Sequence, residues 1–206
     1  YAFPPFRFKE LGFIGVLTDT LYAHVLPAML ATHTFFLFTK QSITPFQITI
    51  IGLIIWQLLL GLRNILFHQL KDQANDLASK TKTFVTSMGE GRSQKITLIL
   101  ISLEVIAFSF FLCTLFLKTQ IYLLPIVAIV YWMLMAFNFK VRDFDFRAFA
   151  YKFLDDFYIN WLPLALLLQL CSISYIYLLL ILLHITLFKN DLKSKGFQFL
   201  KQLFSI

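Results

Sequence analysis

Apolar residues fall in long runs along this chain, separated by polar stretches. A helix needs about 20 largely apolar residues to cross the hydrocarbon of a bilayer, and several runs approach or exceed that length. The first extends from about Leu11 to Phe38 and holds Gly12, Gly15 and Pro27; the second covers Phe46–Leu62. A polar stretch follows from Arg63 to Lys95, and further spans are expected at Ile96–Leu117 and Ile121–Phe137. After a charged, Phe-studded loop (Asn138–Tyr158), the run Trp161–Phe188 is too long for one upright helix and too short for two full spans with a turn. It reads as one long tilted helix, giving five spans, with a hairpin and six segments as the alternative. The expected fold class is therefore all-α, a multispan transmembrane helical bundle forming a single domain over residues 1–206.

Composition agrees. Of 206 residues, 59% are hydrophobic and 14% charged, and the mean hydropathy is +0.76. That leaves too little polar surface to cover a water-soluble particle, so an integral, multi-pass membrane protein is expected. The 18 Lys and Arg against 11 Asp and Glu give +7, an excess that in such a chain marks cytoplasmic loops rather than nucleic-acid binding. The cations sort the loops. Arg7 and Lys9 lie in the opening, Arg63, Lys71, Lys80, Lys82, Arg92 and Lys95 in the 63–95 loop, and Lys140, Arg142, Arg147 and Lys152 in the 138–158 loop. The two intervening connections carry only Lys40 and Lys118, so the three basic segments are expected on the cytoplasmic face. Lys189, Lys193, Lys195 and Lys201 conflict with that assignment if the last run is a single span. Cys113 and Cys171 sit inside apolar runs and form neither a CxxC nor a metal-binding spacing. The opening Tyr1-Ala-Phe-Pro-Pro has neither Met nor the basic and apolar regions of a signal peptide. It reads as a loop within a longer protein.

Candidate chemistry concentrates in the 63–95 segment, which continues the second span past the membrane edge. If it stays helical, His68, Asp72 and Asp76 fall at i, i+4 and i+8 and line one stripe, with Gln69, Lys71 and Asn75 beside them. Two carboxylates one turn apart repel unless a cation lies between them. A hard divalent ion such as Mg²⁺, held by one or two carboxylates and completed by phosphate oxygens, suits that pair. Lys80 and Lys82, with the hydroxyls of Thr81 and Thr83, suit a nearby anion. The same residues also read as a solvated helix end, or as a His-Asp-Asp transition-metal site lacking a visible fourth ligand.

The opening Tyr1-Ala-Phe-Pro-Pro-Phe-Arg-Phe-Lys-Glu-Leu-Gly-Phe-Ile-Gly15 resembles a loop of the UbiA-type intramembrane prenyltransferases, in whose chlorophyll-synthase-like members a Tyr-Ser-x-Pro-Pro-x-Lys-x-Lys stretch precedes Gly-x-x-Gly. Asp72-x3-Asp76, followed by Thr81-Lys82-Thr83 and Gly89, is similar to that family's second Asp-rich motif, one helical hairpin later. The resemblance covers essentially the whole chain and implies the C-terminal half of a nine-helix fold. It further implies Mg²⁺-dependent transfer of a polyprenyl group from its pyrophosphate to an acceptor within the membrane. Under it, Asp72 and Asp76 hold Mg²⁺, Lys82 contacts phosphate, and Tyr1, Arg7 and Lys9 help to bind the pyrophosphate. Many members have Asn-Asp where this chain has His68-Gln69, so the metal shell loses a negative charge there. His68 then serves as a phosphate donor or acceptor-side base, with Gln69 among the substrate-binding residues. That departure also motivates a second reading, a non-catalytic membrane subunit or lipid-binding scaffold with the same fold. The expected partners are the polyprenyl pyrophosphate, an acceptor, membrane lipid and the N-terminal half of the fold, with no nucleic acid.

Asp19 and Glu104 lie inside apolar spans, where an ionisable group is costly and marks a functional candidate. Asp19 is read as an acceptor contact or as a buried partner of His24. Glu104 is read as an interhelix bond, although a transporter would also use such residues. His33 and His184 read as core or interfacial, Phe139–Phe153 as an amphipathic interfacial segment, and Asp155-Asp156 as a weak metal pair, because adjacent residues diverge on a helix.

Overall fold

The computed structural model describes residues 8–119, 122–138 and 154–189, and the elements among them are helical, with no strand. The chain divides into two compact units, Tyr1–Lys118 and Thr119–Ile206.

In the first unit a short 3-10 turn, Phe8–Glu10, precedes α1 (Phe13–Thr39). Gly15 lets that turn lie on the helix, since a Cβ there would stand 2.0 Å from the carbonyl oxygen of Phe8. Within α1, Leu21–Val25 form a π-helical turn. Its position follows from Pro27, which has no N–H for the carbonyl four residues back and crowds it with its ring. A wider turn at that carbonyl, Ala23, absorbs the misfit. Lys40 in the left-handed region (φ 53°) ends the helix. A turn at Thr44–Phe46 leads into α2 (Gln47–Ala78), whose 32 residues span about 48 Å. That exceeds the roughly 30 Å of hydrocarbon, so α2 carries its polar C-terminal turns out of the apolar stretch as one continuous rod. The short α3 (Phe84–Met88) and the long α4 (Glu90–Thr119) follow. α1, α2 with its leading turn, and α4 are long and apolar enough to cross a membrane. The chain is a membrane protein.

Arg63, expected as the first cation of a cytoplasmic loop, is instead fully buried on α2 and ion-paired with Glu104 of α4, also fully buried. Its Nε and Nη2 donate to the two carboxylate oxygens at 2.5 and 3.1 Å. Glu104 thus makes the interhelix bond expected of it, to a partner that grouping charges by hydropathy had assigned to water. Small residues bring the helices close. A Cβ on Gly61 would lie 2.7 Å from Thr20 Cγ2 and 2.8 Å from the His24 ring on α1, and one on Gly52 would lie 3.1 Å from Phe110 on α4. Beside Gly52, Trp56 packs on Phe108 and stacks on Phe111, with centroids 4.7 and 5.4 Å apart.

The second unit holds α5 (Leu123–Asn138), α6 (Phe157–Ile173) and α7 (Tyr175–Leu187). The expected single tilted helix over Trp161–Phe188 is not what forms. The run breaks at Ser174, which is extended (φ −152°, ψ 131°), and folds back on itself. The ring Nε2 of His184 lies 3.2 Å from the carbonyl oxygen of Asn160, 24 residues earlier; one straight helix would hold them about 36 Å apart. The hairpin alternative therefore describes this run. Its second arm, Tyr175–Leu187, measures about 20 Å, short of a full crossing. The chain leaves the hairpin at the end where it entered, so Lys189 lies at the same end as the start of α6. Lys193, Lys195, Lys201 and the proposed interfacial segment Phe139–Phe153 lie outside the described residues.

Removing one charge of the Arg63–Glu104 pair takes this ion pair from a partner that is itself fully buried. Glu104→Ala is expected to destabilise the detergent-solubilised protein by about 3–5 kcal/mol, whereas Arg63→Met combined with Glu104→Met restores most of the loss. Equal melting temperatures for the single and double variants would show that the pair is not buried as described. Gly61→Val is expected to lower the melting temperature sharply. Gly91→Ala, on the exposed first turn of α4 with nothing near its Cβ, should leave it unchanged or raise it by about 0.5–1 kcal/mol of stability.

Candidate functional site

The last turns of α2 form one wall of the candidate site. Gln69 and Asp76 are buried there, at 2% and 5% exposure, while His68 and Asp72 are exposed. Helix geometry accounts for the split. Residues four apart drift by about 40° per step, so His68 sits about 80° from Asp76, whereas residues seven apart differ by only about 20°. The expected stripe His68/Asp72/Asp76 thus crosses from water into the interior, and the inward row is Gln69 with Asp76.

Past the end of α2 the chain turns back over it. Lys80 takes a left-handed conformation (φ 56°), and the amide of Thr81 donates to the carbonyl of Asp76 at 2.8 Å. Thr83 then starts α3 with a reciprocal cap. Its hydroxyl accepts from the Thr86 amide at 3.2 Å, and its own amide donates to the Thr86 hydroxyl at 2.7 Å. This sets Val85 against α2, where its amide donates to Gln69 Oε1 at 3.2 Å. Val85 joins Val16 of α1 and Leu66 of α2 in a buried cluster, and Phe84 meets Phe13 with ring centroids 5.9 Å apart. From the opposite direction Lys9 reaches in, its Nζ 2.8 Å from Asp76 Oδ1. The pair is largely buried, the side chains being 29% and 7% exposed.

Four segments therefore meet at one place: the opening turn, the start of α1, the end of α2, and the loop leading into α3. Two polar atoms there have no hydrogen-bond partner among the described residues, Gln69 Nε2 and Asp76 Oδ2. Buried polar groups are nearly always paired, so each such atom calls for an explanation. Because Val85 fixes Oε1 of Gln69 as the accepting edge, the other edge of that amide is a donor and suits an anionic oxygen rather than a metal. Asp76 Oδ2 is an acceptor and suits a cation.

The other expected residues stand further out. Lys80 and Lys82 are exposed on the loop, and Asp19 is half-buried on α1. Tyr1 and Arg7 lie outside the described residues. Among the described residues no three His, Cys, Asp or Glu side chains group as a metal-binding set. The two donors available to a hard cation are the free Asp76 oxygen and Asp72, one turn earlier on the same rod. They fit an ion that keeps most of its shell for water and phosphate, as Mg²⁺ does.

A second polar cluster, in the other unit, was not legible. Asp156 accepts from Asn160 Nδ2 at 2.7 Å and hydrogen-bonds Tyr131, which is 1% exposed and packs on Phe157 and Trp161. His184 closes the cluster through the Asn160 carbonyl, consistent with a core role. The i, i+4 spacing of Asp156 and Asn160 was the available signal; the adjacency of Asp155 obscured it.

Comparison with known proteins finds no family model, curated protein or solved structure that matches this chain.

Proposed function

We propose that this chain is a multispan UbiA-like membrane protein that binds a polyprenyl diphosphate at the cytoplasmic edge of the bilayer and, with Mg²⁺, transfers the prenyl group to an acceptor. The observation that carries the reading is the Lys9–Asp76 contact. It joins the two sequence elements that resemble the family's motifs, 67 residues apart along the chain, at a separation of 2.8 Å. Beside them lie an unmatched buried donor and an unmatched buried acceptor, the complement of a metal-bound anion.

In this reading Gln69 Nε2 and Lys9 hold phosphate oxygens, and exposed Lys80 and Lys82 raise the local positive potential. Mg²⁺, held by Asp72 and Asp76, supplies neutralisation of the leaving diphosphate. The bond between the prenyl C1 and the bridging oxygen breaks with its electron pair going to the diphosphate. The acceptor nucleophile bonds to C1 and loses a proton, which His68, exposed on the same helix, would take up. The apolar helices shelter the chain and the allylic cation from water.

The second reading, a non-catalytic scaffold that holds a lipid diphosphate, is favoured by Asp76 already having a cation beside it and by the neutral Gln69. The transport reading loses a motive, since Glu104 is held by Arg63.

Binding of geranylgeranyl diphosphate to the detergent-purified protein, with and without Mg²⁺, separates these readings. Transfer chemistry expects binding tightened at least about tenfold by Mg²⁺, release of inorganic diphosphate, and loss of both metal effects in Asp76→Asn. Binding that ignores Mg²⁺ and survives Asp76→Asn, with no diphosphate release, supports the scaffold. Absence of binding in every condition sinks both.

A further inference from the structure

We propose that Lys9 is an internal counter-ion that competes with the metal for Asp76 and changes partner when phosphate arrives, so that metal and diphosphate bind as a coupled pair. The proposal rests on the reading of this site as one for a metal-bound diphosphate and adds how its loading is ordered.

The backbone of Lys9 is fixed while its side chain is not. The 3-10 turn is closed by the Leu11 amide on the Phe8 carbonyl at 3.0 Å, and that carbonyl lies so close over Gly15 that no side chain fits between them. The Lys side chain, by contrast, is a flexible four-carbon stem ending in a mobile point charge. Its ammonium takes one oxygen of Asp76 and leaves Oδ2 without a partner. A divalent ion arriving alone meets a carboxylate whose charge is already compensated by a cation less than 3 Å away. It must displace that cation or bind against it. A phosphate arriving with the metal offers the ammonium a new anion, and the unpaired Gln69 Nε2 fixes where an oxygen of that anion is held. Lys9 then moves from carboxylate to phosphate, and Asp76 is freed for the metal. Each ligand removes an obstacle to the other, which is positive cooperativity, a favourable (negative) coupling free energy between the two.

Manganese provides the probe, as its electron paramagnetic resonance signal reports free and bound ion without any turnover. In the native protein Mn²⁺ alone should bind weakly, and added geranylgeranyl diphosphate should tighten it. In Lys9→Met, Mn²⁺ alone is expected to bind about tenfold tighter, and the further gain from diphosphate to shrink by a similar factor. Lys9→Arg should keep the native pattern, and Lys95→Met, which removes an exposed cation of α4 given no part in the site, should change Mn²⁺ affinity less than twofold. Combining Lys9→Met with Asp76→Asn should abolish the tight metal binding. If Lys9→Met and Lys95→Met tighten Mn²⁺ equally, the effect is general charge and the partner exchange is overturned. It is overturned also if Lys9→Met binds Mn²⁺ no better than native protein while diphosphate still enhances binding; that outcome leaves the metal–diphosphate site standing. If no form binds Mn²⁺ with or without diphosphate, the metal site itself falls and the exchange with it.

Discussion

A charge inside a membrane helix pair has to find its opposite there, and in this chain that requirement fixes α2. Arg63 and Glu104 are fully buried and joined by two hydrogen bonds. A slip of α2 along α4 by one turn would break this ion pair in a medium that solvates charge poorly. The apolar contacts around them tolerate sliding far better, because one Leu or Ile face resembles another. The ion pair therefore sets the register, while Gly52 and Gly61 set the distance. The polar end of α2 follows from that register. Gln69 stands less than two turns beyond Arg63 and Asp76 two turns further, so the site's position depends on a pair that takes no part in its chemistry.

The π-helical turns show a second constraint acting twice. Leu21–Val25 is followed by Leu26-Pro27, and Phe157–Trp161 by Leu162-Pro163. In both cases the residue four before the proline, Ala23 or Ile159, lies in the widened turn. A proline within an apolar helix frees a carbonyl that lipid cannot satisfy, and such helices relieve it with local π geometry and donors from neighbours. His184 reaches the same widened turn from α7, its ring Nε2 3.2 Å from the carbonyl of the next residue, Asn160. The hairpin of the second unit is thus tied at the place where its first arm is irregular.

Much of this was readable from residue type alone. Apolar runs gave the long helices to within a few residues except at the polar end of α2 and the start of α4, which begins at Glu90 rather than Ile96, since length and hydropathy are all that a bilayer demands of a span. Arg63 was not readable, because a cation at the margin of an apolar run looks the same whether it faces water or a carboxylate 41 residues away. Ser174 was not readable as a break either; nothing in Cys-Ser-Ile-Ser forbids a helix, and the fold back depends on contacts such as that of His184. The stripe of His68, Asp72 and Asp76 was half right. Fourfold spacing places residues near one another, but which of them turns inward depends on where neighbouring segments lie, and the opening turn and Val85 lie over Gln69 and Asp76. The polar loop was singled out by residue type, while Lys9 was linked to it only through a resemblance and only the fold brings the two together.

The neutral residue at position 69 follows from the same electrostatics. Among the described residues one cation, Lys9, reaches the buried part of the site, and it balances one buried carboxylate, Asp76. Asp72 is exposed, so water screens its charge at little cost. A second carboxylate at position 69, buried to 2% exposure, would leave the interior net negative with no ammonium to offset it. It would repel an approaching phosphate and pay desolvation besides. Gln69 keeps the shape and the bond from Val85, and it turns a donor toward the space where an anion would lie. The buried end of α2 therefore holds one carboxylate balanced by one cation, with a neutral amide beside them.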